Sequence, residues 1–190
     1  MRTILPESKN HALRSVAEKI PVSEIKSKRI QNLIKEMRIL LSKEKFGVAL
    51  AAPQVGEPLR LFIVSGRALF RQAQDKLPAH KKSDYESSEL PSDLSRAESR
   101  DQIYINPELI KMSRAKKEKH EGCLSIRGKW GTVPRAEKAT IRAYDEKGTR
   151  LTRGASHFLA HVFQHEMDHL DGILYTDKAT NLYDERPEEK

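Results

Sequence analysis

Residues 154–172 read Gly-Ala-Ser-His-Phe-Leu-Ala-His-Val-Phe-Gln-His-Glu-Met-Asp-His-Leu-Asp-Gly. Gly154-Ala155-Ser156 is a helix opening and Asp171-Gly172 a helix exit, so the stretch predicts one helix late in the chain. Within it, His165-Glu166-Met167-Asp168-His169 forms an HExxH pattern. Residues four apart share a helix face, so both imidazoles reach one metal ion, and Glu166 stands beside the metal's water to take its proton. His157 and His161 extend the same ladder of four-residue steps. The His161/His165 pair has Val162 where a base would sit, so the metal is expected at His165 and His169.

A catalytic site of this kind needs a third protein ligand and one open position. The metzincin pattern would put a histidine at 175, where this chain has Tyr175. The thermolysin-like pattern takes a glutamate from a second downstream helix. Glu185, Glu188 and Glu189 lie in a tail too short and polar to form one. Upstream stands Cys123, in Glu121-Gly122-Cys123-Leu124-Ser125. Thiolate suits zinc and iron, but a lone cysteine is also commonly a small buried hydrophobe, and both readings stay open on the residues alone.

A chain of 190 residues fits one domain, 1–190, with a real core. At 37% hydrophobic and 33% charged it lacks the long apolar run of a membrane span. The N-terminus has no apolar signal-peptide core, and one cysteine suits a reducing cytoplasm. The net charge of +8 favours polyanions such as RNA or a ribosome surface, though it also serves solubility, and no sequence-specific nucleic-acid signature is present.

The remaining pattern is strand-rich. Ile25, Ile30, Leu33, Ile34, Met37 and Leu41 predict an amphipathic helix over 23–42, opened by Pro21-Val22-Ser23. Small residues fill 47–56, and 59–65 reads as a buried strand. Residues 67–101 are polar with balanced charge and read as an inserted loop. Strand character resumes at 103–105 and is expected to stop at Asn106-Pro107. Residues 138–144 and 149–151 flank Asp145-Glu146-Lys147-Gly148, a hairpin signal. The acidic tail at 184–190 is expected to fray. Strands followed by a late helix predict an α+β fold, with antiparallel sheets packed around a central catalytic helix.

Three segments in order, Gly47-Val48-Ala49-Leu50-Ala51-Ala52-Pro53-Gln54, Glu121-Gly122-Cys123-Leu124-Ser125 and Gln164-His165-Glu166-Met167-Asp168-His169, resemble the three signature motifs of the peptide deformylase family. The resemblance also takes in Val133-Pro134-Arg135 and the exit Gly172-Ile173-Leu174-Tyr175. It implies a cytoplasmic hydrolase that removes the N-formyl group from N-formylmethionine on new polypeptides and releases formate. It implies Fe²⁺, with Zn²⁺, Ni²⁺ or Co²⁺ able to take the site, held by Cys123, His165 and His169. It further implies Glu166 as general acid/base, Gln54 and the Leu124 N–H as oxyanion donors, and Glu121 paired with a basic residue, here Arg135. N-formylmethionyl nascent peptides, near the ribosome exit, would be its partners. Val48, Ala49, Phe158 and Val162 are the candidate walls of a methionine pocket.

Three positions depart from the family pattern. Ala49 replaces a glycine. Arg127 replaces a proline, with Trp130 close by, which would loosen this loop or change the peptide groups it recognises. His161 replaces an apolar residue and would either weaken methionine preference or bring pH-dependent binding near neutrality. These departures leave room for a related amidase with another N-acyl substrate, or for a non-catalytic RNA-binding relative.

Overall fold

Two antiparallel sheets meet around one buried helix in the computed structural model, which describes residues 2–66, 68, 69 and 101–184. The larger sheet runs β1-β2-β3-β6-β7, formed by β1 Ala49–Ala51, β2 Leu61–Val64, β3 Gln102–Met112, β6 Lys138–Tyr144 and β7 Arg150–Ser156. The smaller runs β4-β5-β8, formed by β4 Lys116–Cys123, β5 Ile126–Ala136 and β8 Asn181–Asp184. Helix α1 is Lys28–Lys43 and helix α2 is His157–Leu170. The α+β class and the antiparallel sheets around the late helix agree with the sequence reading. Among the described residues no helix is long and apolar enough to cross a membrane.

Strand β6 shows how the sheet divides two cores. Ala139, Ile141 and Ala143 face α2 and join its cluster with Leu159, Ala160, Phe163 and Leu170. Tyr144 faces the other way and packs with the cluster of α1, which buries Ile30, Leu33, Ile34, Met37 and Leu41. Burying each such aliphatic side chain contributes about 2 kcal/mol.

Four expectations are corrected. First, α1 begins at Lys28 rather than near Ser23. Val22–Glu24 is a 3₁₀ turn after Pro21, and Ser27 supplies the cap by accepting from Ile30 N at 3.3 Å. Ile25 is buried but precedes the helix.

Second, Asn106-Pro107 does not stop β3. Between Ile105↔Tyr144 and Glu108↔Arg142 the register shifts, so Asn106 and Pro107 together oppose Ala143. A bulge admits proline, which has no N–H to donate, and Asn106 takes φ +50, a region asparagine tolerates. Its side chain accepts from Ile20 N at 2.8 Å and donates to Ile20 O at 2.7 Å, which fixes the kink.

Third, Gly154-Ala155-Ser156 belongs to β7, and α2 starts at His157. Strand pairing with β6 claims these residues first, through Thr140↔Gly154 and Ala139↔Ala155. Fourth, Asp184 closes β8 against Lys129 rather than fraying. The rest of the 184–190 tail, and the 67–101 insertion apart from Ala68, Leu69 and Asp101, lie outside the described residues. Ala68 and Leu69 are buried, and Asp101 accepts from Gly66 N.

Candidate metal centre

Three elements bring the site together. Helix α2 presents His165, Glu166 and His169 from its second half. Strand β4 ends at Cys123, where pairing with β5 slips from Gly122↔Trp130 to Cys123↔Ile126. The slip leaves Leu124 and Ser125 as a turn beside the cysteine. The 3₁₀ segment Ala52–Val55 carries Gln54, with Pro53 early in the turn and Gly56 at φ +82 ending it.

The N-terminal segment ties two of these loops together. Leu5 N donates to Gln54 O at 2.9 Å, Glu7 N to Ser125 O at 3.0 Å and Asn10 Nδ2 to Pro53 O at 2.8 Å. Sequence reasoning missed this role of Asn10, because nothing near position 10 signals a partner 43 residues away.

Cys123 Sγ, one nitrogen of His165 and one of His169 lie within 4.8 Å of one another. Cys123 Sγ is 3.3 Å from His169 Nε2, and the two imidazoles stand 89° apart with centroids 4.8 Å apart. This spacing gives Cys123 the neighbours of a ligand as well as those of a buried small side chain. Burial opposes its thiolate, yet the imidazoles of His169 and His165 hold the thiol well below its usual range. His165 is pulled down by burial and pushed further up by Cys123 and Glu121. One sulfur and two imidazole nitrogens at this spacing are the donor set of a three-ligand catalytic site, so the residues fit a divalent ion.

Behind the ligands runs a buried ionic chain. Glu121 Oε2 contacts His165 Nδ1 at 2.9 Å, which leaves His165 Nε2 for a metal. Arg135 holds Glu121 with two bonds of 2.7 and 2.9 Å, the pairing that the family resemblance implied. Its remaining nitrogen reaches Asp168 Oδ2 at 2.6 Å, and Lys178 Nζ reaches Asp168 Oδ1 at 2.6 Å. Burial works against the Glu121 carboxylate, but Arg135 and His165 bring it down to about 2. Asp168 and Lys178 were not anticipated. The signal for Asp168 was its place one residue before the second histidine, on the face turned toward Arg135.

Glu166 is 4% exposed and its Oε2 has no partner among the described residues. Burial pushes its carboxyl up to about 7, partly offset by His165 and His169. Gln54 accepts from Ala51 N through Oε1 at 2.8 Å, so its amide nitrogen points to Cys123 Sγ at 3.4 Å. Leu124 is half-buried in the turn after Cys123. Val48, Ala49, Phe158 and Val162 all join the cluster on this side of the sheet. They therefore share one apolar neighbourhood flanking α2.

The departures look different in place. Ala49 is accommodated in β1 opposite Val64, 6% exposed. Arg127 lies in β5 within the register slip between Ile126 and Trp130, and makes a 2.7 Å ion pair with Glu44 at the α1 exit. Trp130 lies over Gly122, where an added Cβ would meet its ring at 3.4 Å. His157 is exposed at the helix start.

His161 is buried, with Nε2 unpartnered among the described residues. Burial, then Lys119, pushes its pKa down to about 4, with Glu121, Arg135 and Glu137 also facing it. It therefore stays neutral near pH 7, and the expected pH-dependent binding near neutrality is corrected. The consequence falls on stability instead. A folded pKa below the unfolded 6.5 means that the unfolded chain binds the extra proton, so stability is lost as pH falls from 6.5 toward 4, by up to about 3 kcal/mol. Melting should therefore drop more between pH 7 and 5 for the wild type than for His161→Leu. Equal drops in the two proteins would show that His161 is not the group responsible.

Comparison with known proteins points one way. Residues 1–185 match a family model described as polypeptide deformylase. A peptide deformylase from Desulforudis audaxviator is 34% identical over 152 residues, 80% of this chain and 76% of that protein. One from Dictyoglomus thermophilum is 36% identical, covering 84% of this chain and 87% of that protein. A crystal structure of a peptide deformylase from Legionella pneumophila superposes with a TM-score of 0.71 at 29% identity, over 95% of this chain and 86% of that one.

Proposed function

We propose, given that the chain belongs to the peptide deformylase family, that Cys123, His165 and His169 hold its metal ion and that Glu166 carries the proton of the reaction. The chain is a metal-dependent hydrolase that removes the N-formyl group from N-formylmethionyl nascent peptides and releases formate. One observation carries the assignment of roles. The sulfur and two imidazole nitrogens cluster within 4.8 Å beside the buried carboxyl of Glu166.

When bound, the divalent ion supplies a Lewis acid for the formyl carbonyl and lowers the pKa of water toward neutrality. Fe²⁺ is the ion we assign in the cell, and Zn²⁺, Ni²⁺ and Co²⁺ suit the same donors. Glu121 fixes the His165 tautomer through Nδ1 and is itself fixed by Arg135. Glu166 takes a proton from water as it attacks the formyl carbon, then returns it to the leaving amine, from its place between the two histidines on α2. The Gln54 amide, locked by Ala51 N, and the Leu124 N–H donate to the oxygen that becomes negative. Strand β1 is an edge strand, so an extended peptide can lie along it with its methionine among Val48, Ala49, Phe158 and Val162. We assign the work to the cytoplasm, near the ribosome exit where formylmethionyl chains emerge.

The test uses a formyl-Met tripeptide and protein purified anaerobically with Fe²⁺ or Ni²⁺. Formate release is expected from the wild type, whereas Cys123→Ser should lose most of its bound iron by elemental analysis and its activity with it. Unchanged iron in Cys123→Ser would remove this residue from the ligand set. No formate from fully metallated protein would shift the reading to an amidase with another N-acyl substrate.

A further inference from the structure

The face of the larger sheet that α2 does not cover is only partly covered by α1, which packs on β1 and β2. Beyond it, register fixes what the strands present. On β6 the side chains opposite to the core-facing Ala139, Ile141 and Ala143 are Lys138, Thr140, Arg142 and Tyr144. Their partners across the ladders are Lys111 and Glu108 on β3, and Ser156, Gly154, Thr152 and Arg150 on β7. Lys19 joins them by its 3.1 Å contact to Glu108.

The charge on this surface is unbalanced. Glu108 is the carboxylate that the paired strands contribute to it, and it is shared by Lys19 and by Arg142 at 2.9 Å. Arg142 and Lys19 hold it down to about 2, so it is spent as a counter-ion. Lys111, Lys138 and Arg150 make no ion pair among the described residues, and all three are exposed. Lys19, Glu108, Arg142, Tyr144 and Arg150 line a cavity of about 410 Å³ at one end of the face. Thr140 and Thr152 add hydroxyl donors along the strip between the cations.

We propose that this face docks the phosphate backbone of RNA. Cations spaced along paired strands with hydroxyls between them match a line of phosphates, and no base-reading constellation accompanies them among the described residues. RNA is favoured over other polyanions because the substrate is nascent polypeptide, which emerges from an RNA-rich particle; in that respect the choice rests on the deformylase reading. The face also lies across the sheet from α2, so a docked backbone leaves the catalytic side open to the peptide.

The experiment is fluorescence anisotropy with a labelled mixed-sequence RNA hairpin, from 50 to 200 mM salt. The full-length wild type is compared with the triple variant Lys111→Glu, Lys138→Glu, Arg150→Glu. A control of equal net charge, Lys9→Glu, Lys35→Glu, Lys43→Glu, alters exposed lysines elsewhere. The face variant should bind at least about tenfold more weakly, with a salt slope smaller by roughly two to three, since each lost phosphate contact removes somewhat less than one. The control should stay within about threefold of the wild type. Equal losses in both variants would reduce the effect to net charge and overturn the proposal. So would absence of wild-type binding at 50 mM salt, or binding to phosphatidylglycerol vesicles without binding to RNA. Formate release, read on the same samples, should be unchanged in both variants. Its absence in all three proteins would count against the deformylase reading while leaving the RNA result intact.

Discussion

Glu166→Ala should retain its metal and lose deformylation by a factor of about 10³ or more. General acid–base catalysis by a placed side chain contributes roughly 10² to 10⁴ in rate, and here one carboxyl serves both proton transfers. Among the described residues the side chain is buried and unpartnered at Oε2, so none of them is positioned to substitute for it. The donors lie elsewhere, on Cys123, His165 and His169, so elemental analysis should find metal content unchanged. Truncation also removes a buried carboxyl whose ionised form burial disfavours, so melting should not fall with activity. Glu166→Gln keeps the shape and should be as inactive. Metal loss in either variant would make Glu166 part of the ion's coordination and return the question of the base.

The second large effect is on stability and centres on Arg135. Its guanidinium is 4% exposed and joins Glu121 to Asp168. Arg135→Met preserves bulk but leaves two carboxylates with less compensation, Asp168 keeping Lys178 and Glu121 keeping His165. Breaking one partner out of a buried ionic cluster costs about 3–5 kcal/mol, which in a chain of this size lowers Tm by roughly 10 °C. Adding Glu121→Gln should recover part of the stability, because the stranded charge is gone. It should not recover metal affinity, because the Nδ1 partner of His165 is weakened; loss of such a partner commonly costs 10- to 100-fold. A single Arg135→Met that melts within about 2 °C of wild type would mean that solvent reaches this cluster and screens it.

What could be read in advance follows a physical division. Local signals were sufficient for the body and exit of α2, with its histidine ladder and Asp171-Gly172, though not for its start, and for the β6–β7 hairpin, where Gly148 takes φ +75 at the expected turn. Of the candidate donors, the His165/His169 pair was legible from its four-residue spacing, whereas Cys123 stayed open on the residues alone and entered only through the family resemblance. The β4–β5 hairpin was not legible. Its Lys116, Lys117, Glu118, Lys119 and His120 are all exposed and show no alternation of apolar and polar residues. They form a strand because β5 pairs with them. Strand β8 exists for a similar reason, held by Trp130↔Tyr183 and by a 2.6 Å contact between Tyr183 and His120. The passage of β3 through Asn106-Pro107 depended on Ile20, 86 positions away. Asp168 as partner of Arg135, and Gln164 clasping both backbone groups of Ala136, likewise required the tertiary structure.

The stitching of the N-terminal segment to the loops of the site bears on when a newly made copy becomes competent. Residues 5 to 10 leave the synthesising machinery well before their partners Pro53, Gln54 and Ser125, and Arg14 closes on Asp177 across 163 positions. Contacts so distant along the chain pay their loop-closure entropy before they are rewarded, which slows folding. The catalytic helix is also among the last elements to appear. Every copy therefore passes most of the synthesis of these residues without a complete site.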